Sequence, residues 1–158
     1  EVFDGFSDDH GFAREDVYVN LLGTGLAYAR TVNPRLRDTL DFRMEYQSSG
    51  YKGFRPFSDY SGQKFLLALK LSGFDAFKNT PLRYLELQTG YYTRGFSKLE
   101  RDDGFERSRH RFVGIGVNLN ELFFGRRIER EPELKNLSRL FLEHIQIPHT
   151  ATRSSNAF

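Results

Sequence analysis

The chain has 158 residues, with 23 basic and 21 acidic side chains and a net charge of +2, which excludes the strongly basic surface typical of nucleic-acid binding. The absence of cysteine excludes disulfides, zinc-thiolate sites and thiol catalysis. The length fits one domain with a sizeable core, and we expect residues 1–158 to form a single domain.

Aromatic residues are unusually frequent and make up 15% of the chain, with 16 Phe, 8 Tyr and no Trp. Such an excess is typical of a sheet with an aromatic surface, or of a surface that binds a hydrophobic ligand. A hydrophobic-ligand carrier is therefore one of the functional alternatives.

The N-terminal part predicts a polar lead-in followed by a helix, together spanning residues 1–33. The acidic opening does not have the ligand spacing of an EF-hand, so a solvated helix cap is favoured over a calcium site. The helix is predicted over residues 12–32 from apolar residues at helical spacing, and Pro34 ends it. Gly23 and Ala27 lie four residues apart and would let another element approach the helix backbone, which makes them interface candidates.

Four strands with alternating apolar and polar residues are predicted after this helix, over residues 39–47, 63–73, 82–96 and 109–119. In the first of them, Phe42 and Met44 face one side while Arg43 and Glu45 face the other. We expect the last three strands to pair consecutively and antiparallel, with no helix between them, because their connections are short for a parallel crossover.

Three of the predicted strands have nine to eleven residues and the third has fifteen. These lengths are long for a small soluble sheet and suit an outer-membrane crossing at a tilt. One face is apolar and the other mixes charged residues, Gln, Asn and Gly, as in strands whose apolar side faces lipid. A soluble sheet packed on helices gives the same alternation, so both alternatives stay open at this stage. Within the fourth strand, Gly114 and Gly116 are expected to make room for large side chains opposite them.

A second helix is predicted over residues 131–147, with Pro132 near its start and Pro148 after its end. Its apolar stripe comprises Leu134, Leu137, Leu140, Phe141, His144 and Ile145. The remaining residues, 148–158, are polar and are predicted to form a flexible tail.

Ser108 and His110 are the residues most suggestive of chemistry, because they lie two apart and share one face of a strand. With an acid such as Glu86 or Glu100 they would complete the minimum for acyl-ester hydrolysis. No nucleophile-elbow glycine pattern surrounds them, and arginines flank both residues. We therefore predict that Ser108 and His110 are not catalytic.

The loop over residues 51–60 combines aromatic residues with Lys52 and Arg55 and suits a membrane interface or a partner protein. An equally plausible interpretation is a loop that folds back over a sheet edge. Its aromatic residues complete the set of interface candidates, which are Tyr51, Phe54, Phe57 and Tyr60.

Three segments of the chain resemble a known group of proteins: DYSGQKFLLALKLSGF at 59–74, TPLRYLELQTGYYTRGF at 80–96 and RFVGIGVNLNELFF at 111–124. The opening residues 1–29 and the segment HIQIPHT at 144–150 share this likeness. The sequence resembles bacterial proteins of unknown function described as predicted periplasmic lipoproteins. The resemblance implies localisation in the cell envelope and either a lipid anchor or a helical portion upstream of residue 1, but no activity and no catalytic residue.

Together these patterns predict an α+β fold, an antiparallel meander of about four outer-membrane-type strands flanked by an N-terminal and a C-terminal helix. The predicted function is a non-enzymatic structural or accessory component in the outer membrane or periplasm of a Gram-negative-type bacterium. Its expected partners are other envelope proteins or a membrane complex, with lipid contact, and no cofactor or metal site is predicted. The alternatives are a lipid or acyl-ester hydrolase and a hydrophobic-ligand carrier.

Overall fold

The structure, a computed structural model, describes residues 14–50, 53–57, 59–96, 98–125 and 132–157. The chain forms two compact units, residues 1–37 and residues 38–158. The acidic opening, which the sequence analysis assigned to a helix cap, lies outside the described residues.

Helix α1 (Arg14–Val32) confirms the predicted N-terminal helix. It ends where predicted, but Pro34 also begins a short helix, α2 (Pro34–Thr39), that the sequence analysis missed. The Asn33 side chain accepts hydrogen bonds from the backbone N–H groups of Arg35 and Leu36, which caps this new helix. Proline has no N–H to lose at a first helical position, so it ends one helix and starts the next.

The second unit is built on a six-stranded, mostly antiparallel sheet, so the α+β class is confirmed while the strand count rises from about four to six. Its strands are β1 (Leu40–Tyr46), β2 (Gln63–Lys70), β3 (Leu85–Arg94), β4 (Ser108–Val117), β5 (Ile145–Gln146) and β6 (Ala151–Ala157). Their order is β5-β1-β2-β3-β4-β6, and only the β1–β5 pair is parallel.

Strands β2, β3 and β4 pair consecutively and antiparallel, as predicted. The expectation of helix-free connections is wrong, because helix α3 (Lys98–Asp102) lies between β3 and β4. Two 3-10 turns, Leu71–Gly73 and Pro81–Tyr84, also shorten the predicted second and third strands. Pro81 favours such a turn because its fixed φ suits a helical start.

The C-terminal part contains helices α4 (Leu119–Phe124) and α5 (Glu133–His144) followed by β5 and β6. The prediction of a flexible tail is wrong, because β6 pairs with β4 along residues 151–157. Polar residues hide this strand from a search for apolar alternation, yet β6 pairs the backbone groups of the β4 edge. The link from β5 to β6 is only four residues long, from Ile147 to Thr150.

The predicted apolar stripe of the C-terminal helix faces outward instead of toward the sheet. Leu134, Leu137 and Phe141 are exposed, whereas Arg139, Leu142 and Glu143 are buried. The helix also ends at His144, because the next two residues form β5 beside β1.

The two faces of the sheet carry different residues in register. We call inner face the odd-numbered residues 41–45 and 151–157 together with the even-numbered residues 64–70, 86–94 and 108–116. The alternating residues of the same strands form the outer face. This alternation follows the predicted one, but the inner face, which carries the charges, is the buried one.

Candidate functional site: the inner face of the sheet

The sheet is strongly curved, and the inner face is its concave side. Arg153 on β6 donates a hydrogen bond from Nη1 to a carboxylate oxygen of Glu45 on β1, at 2.7 Å. These strands are four steps apart in the sheet order, which would separate them by roughly 19 Å in a flat sheet. The short ion pair is therefore possible only because the strands wrap around a common interior.

Arg43 lies at the centre of this interior and is only 3% exposed. Its guanidinium donates to Asp41 at 2.7 Å, to both carboxylate oxygens of Glu86 at 2.8 and 3.0 Å, and to the amide oxygen of Gln146 at 2.9 Å. Lys70 donates to the second carboxylate oxygen of Asp41 at 2.7 Å. The planar guanidinium suits this role because it presents five donors in a fixed geometry.

Electrostatic balance keeps Arg43 charged. Burial by itself would lower its pKa, but the attraction and hydrogen bonds of Glu86 and Asp41 outweigh burial, and the pKa of Arg43 is raised. Both carboxylates are fully buried beside it. Removing one partner from such a group leaves an uncompensated buried charge, so the cluster holds together as a unit.

A second cluster of paired charges surrounds Glu45, near the C-terminal end of β1. Lys64 donates to one carboxylate oxygen of Glu45 at 2.8 Å, and Arg153 donates to the other. The Nε and Nη2 atoms of Arg153 also donate to the amide oxygen of Gln88, at 3.0 and 2.8 Å. The Arg153 guanidinium lies 4.8 Å from the centroid of the Phe112 ring, which fixes its plane.

Glycines on the inner face make room for these large side chains, as the sequence analysis predicted for Gly114 and Gly116. A Cβ at Gly116 would lie 2.5 Å from Nε2 of Gln88, and one at Gly114 would lie 2.7 Å from Cγ of Arg153. Gly90 has the same function for Phe112, whose Cζ would lie 2.5 Å from an added Cβ. The concave side is therefore filled mainly by charged and polar groups, and its apolar part is the small cluster of Leu66, Ala68 and Phe112.

Ser108 and His110 meet at the open end of the inner face, with 3.0 Å between Ser108 Oγ and His110 Nε2. The imidazole stacks on the Tyr92 ring, with a centroid distance of 4.7 Å and an interplanar angle of 8°. Sequence reasoning placed both residues on one face but gave no sign of the Tyr92 stack, which depends on the β3–β4 register.

The two acids proposed to orient His110 are engaged elsewhere. Glu86 accepts from Arg43 and from Gln88 and lies six residues along β3 from Tyr92, or about 20 Å. Glu100 accepts from the backbone N–H of Gly95 at 2.8 Å and from Arg94 at 3.4 Å.

The outer face of strands β1 to β4 is apolar and open to the surroundings of the chain. Val113 and Ile115 are 62% and 55% exposed, and several partners in register with them are also exposed. These partners are Phe42, Phe65, Leu67, Leu87 and Tyr91. No carboxylate lies on this face of the four strands, each of which is described in full.

The outer face becomes polar in two places. At one end Arg109 and Arg111 extend from β4, next to Tyr91 of β3. On strand β6 the outward residues are Thr152, Ser154 and Asn156. The apolar surface is therefore a band bounded by polar residues.

The interface candidates are solvent-exposed in the single chain. Gly23 and Ala27 lie on α1 with their surfaces exposed, and a Cβ at Gly23 would meet no atom within 4 Å. Phe54, Phe57 and Tyr60 are exposed as well, which leaves the predicted interface untested. Tyr51 lies outside the described residues.

Within the described residues, the carboxylates and imidazoles form no cluster of three suited to a metal ion. The same residues include no helix that is both long and apolar enough to cross a membrane.

Comparisons with family models, with curated proteins and with solved structures each give no match. The lipoprotein resemblance therefore stays a prediction.

Proposed function

We propose that this chain is a non-enzymatic structural component of a bacterial outer membrane, with the outer face of its sheet against lipid. The observation that carries the proposal is the polarity of the sheet: Arg43 and Glu86 are buried inside it, while Val113 and Ile115 are exposed outside. In water this arrangement is unfavourable on both faces, because the outer face exposes apolar side chains and the inner face buries charged ones. Against hydrocarbon it is the favourable arrangement.

The composition of the outer face supports lipid as the occupant rather than a protein partner. A lipid-facing surface excludes carboxylates, tolerates a continuous convex shape and places Tyr and Arg at the head-group level. The outer face of β1 to β4 has this composition, with Tyr91, Arg109 and Arg111 at one end. Six residue steps along β3, from Leu85 to Tyr91, span about 20 Å, which approaches the height of a membrane-facing apolar band.

A larger envelope assembly remains the proposed partner. The exposed aromatic side chains of Phe54, Phe57 and Tyr60 belong to the connection between β1 and β2 and offer contact area for such a protein. Their exposure would be costly to maintain as one patch in an isolated protein.

Neighbouring tyrosines on β3 give a matched test, because the chain contains no Trp. Tyr91→Trp places an indole on the outer face, and Tyr92→Trp places one on the inner face next to it. In vesicles containing phospholipids brominated on their acyl chains, we expect strong quenching of the Tyr91→Trp fluorescence and little quenching of Tyr92→Trp. Ile115→Trp, further along the band, should respond most to bromine near the chain end.

Equal quenching of the Tyr91→Trp and Tyr92→Trp variants would contradict a lipid-facing outer side. Quenching of Tyr91→Trp by aqueous acrylamide but not by brominated lipid would also overturn the proposal.

A second candidate function is hydrolysis of lipid or acyl esters, and the 3.0 Å hydrogen bond between Ser108 and His110 is the observation in its favour. The purified protein should be assayed on phospholipid and acyl-ester substrates, together with Ser108→Ala and His110→Ala. We expect no turnover, because Glu86 lies too far along β3 to orient the imidazole. Turnover lost in both variants would replace the non-enzymatic proposal.

A further inference from the structure

A cavity of about 200 Å³ lies at the open end of the inner face, lined by Lys64, Tyr92, Arg94, Phe112, Arg153 and Ser155. Since a water molecule takes up roughly 30 Å³ in the liquid, this space has room for a group larger than a few waters. None of the alternatives considered above uses it. Its lining contains three cationic side chains and no carboxylate.

The neighbouring carboxylates do not balance these three cations one for one. Glu45 is shared, because it accepts both from Lys64 and from Arg153. Glu100 approaches Arg94, but at the longer distance of 3.4 Å, and it also accepts from the backbone N–H of Gly95. Three cations beside two carboxylates leave an excess of positive charge around the cavity.

The cavity wall is also preorganised. Arg153 is fixed by Gln88 and by the Phe112 ring, so it holds its position without a ligand. The Tyr92 hydroxyl donates a hydrogen bond to Ser155 Oγ at 3.4 Å, and the Ser155 hydroxyl is then a further donor in the wall. Fixed donors around a positively charged space lower the cost of ordering an anion there.

We infer that this cavity binds a small oxyanion, namely a phosphate or carboxylate group presented by a soluble molecule. Arg94 and Lys64 attract the anion at the open end, while Arg153 and Ser155 hold it from within. Arg94 is the most informative of these residues, since it is 40% exposed and takes no part in the Arg43 cluster.

The test uses inorganic phosphate as the probe and the full chain in detergent without added lipid. Binding is followed by isothermal titration and by the NMR shift of the His110 imidazole, which stacks on the cavity residue Tyr92. We expect Arg94→Gln to weaken phosphate binding about tenfold or more, because it removes a charge-assisted hydrogen bond. The control is Lys78→Gln, which removes one positive charge from the exposed connection between β2 and β3, at the other end of these strands from the cavity. It should change the affinity for phosphate less than about twofold.

Two further measurements separate a specific site from general attraction. Ser155→Ala should also weaken binding while a backbone NMR spectrum verifies that the fold is retained. Vesicles of phosphatidylglycerol, added in place of inorganic phosphate, test a lipid head group as the source of the anion. Equal losses in Arg94→Gln and Lys78→Gln, absence of phosphate binding in the wild type, or an imidazole shift with vesicles alone would each overturn the inference.

Discussion

The two faces of one sheet differ in this protein in the kind of side chain that is buried or exposed. On the inner face Arg43 is 3% exposed although it carries a full charge, and on the outer face Val113 is 62% exposed although it is aliphatic. Both belong to strands with the same period-two alternation. The comparison teaches that alternation assigns residues to a shared face but carries no information about which face is buried.

Energetically, the inner face replaces an aliphatic core with a network of paired charges. Only a small apolar cluster, Leu66, Ala68 and Phe112, is fully buried among the described residues of the sheet. Buried ion pairs compensate their desolvation only when their members are well bonded, so the inner face depends on this pairing, in which Nε of Arg43 has no hydrogen-bond partner. The free energy of the exposed outer face depends instead on whether water or hydrocarbon surrounds the protein.

Arg43→Met is the most damaging change we expect, because it leaves Asp41 and Glu86 buried beside an apolar side chain. Loss of one member of a buried charge cluster costs about 3 to 5 kcal/mol. The measurement is the free energy of unfolding in urea, with the protein in detergent micelles. Lys78→Met, which breaks the exposed pair with Asp75, should cost less than about 1 kcal/mol. Similar values for the two variants would show that burial does not distinguish these pairs.

Val113→Arg tests the outer face with its register partner as the control. If Val113 faces hydrocarbon, the substitution should lower the free energy of unfolding in lipid vesicles by about 2 to 4 kcal/mol. Ser154→Arg, directly opposite on the polar outer side of β6, should change it by about 0.5 kcal/mol or less. Equal effects at the two positions would argue that the apolar band does not meet lipid.

Arg43→Lys tests whether the stability of the buried cluster needs the planar geometry of the guanidinium as well as a positive charge. A lysine cannot reproduce the hydrogen bonds to Asp41, Glu86 and Gln146 together, and we expect a loss of roughly 1.5 to 3 kcal/mol at neutral pH.

The free energy of unfolding of the wild type and that of the Arg43→Lys variant should also depend differently on pH. The raised pKa of Arg43 means that its contribution to stability is complete below the ordinary pKa of an arginine side chain and is lost only at higher pH. A lysine, with an ordinary pKa of about 10.4, would lose its contribution at much lower pH. The difference in unfolding free energy between wild type and Arg43→Lys should therefore stay constant from pH 8 to about pH 10 and grow toward pH 11. A difference that stays constant up to pH 11 would contradict this account.

The smallest effects on stability are expected from two single variants, in each of which alanine replaces a glycine. Gly90→Ala places a Cβ 2.3 Å from the carbonyl oxygen of Phe65 and should destabilise the sheet by about 1 to 3 kcal/mol. Gly25→Ala in helix α1 meets no atom within 4 Å and should stabilise the helix by about 0.5 to 1 kcal/mol. Thermal unfolding followed by circular dichroism measures both, and the same sign in the two variants would exclude crowding as the cause.

Much of the sheet was predictable from its sequence because β1 to β4 alternate regularly. The faces of Phe42 and Arg43 were assigned correctly relative to one another, and so were the space-making roles of Gly114 and Gly116. These features depend on nearest neighbours along a strand or on one strand pair. Local patterns are sufficient for them.

The missed features depend on contacts between distant parts of the chain. Strand β6 has no apolar alternation, and its position follows from pairing with β4 and from the bond between Arg153 and Glu45. The orientation of α5 does not follow from its apolar stripe, because such a stripe normally faces the protein, whereas Arg139 and Leu142 face inward here. The phosphate-sized cavity joins residues of β2, β3, β4 and β6, so no single segment indicates it.

The bond between Glu45 and Arg153 also has a consequence for the order of folding, since 108 positions separate its two partners in the chain. During synthesis Glu45 emerges long before Arg153, and until then Lys64 is the partner within reach on the neighbouring strand. Contacts of such sequence separation form late and slow the folding reaction. The curvature of the sheet is therefore completed by its final strand, and a nascent chain that lacks residues 151–157 holds an unfinished interior.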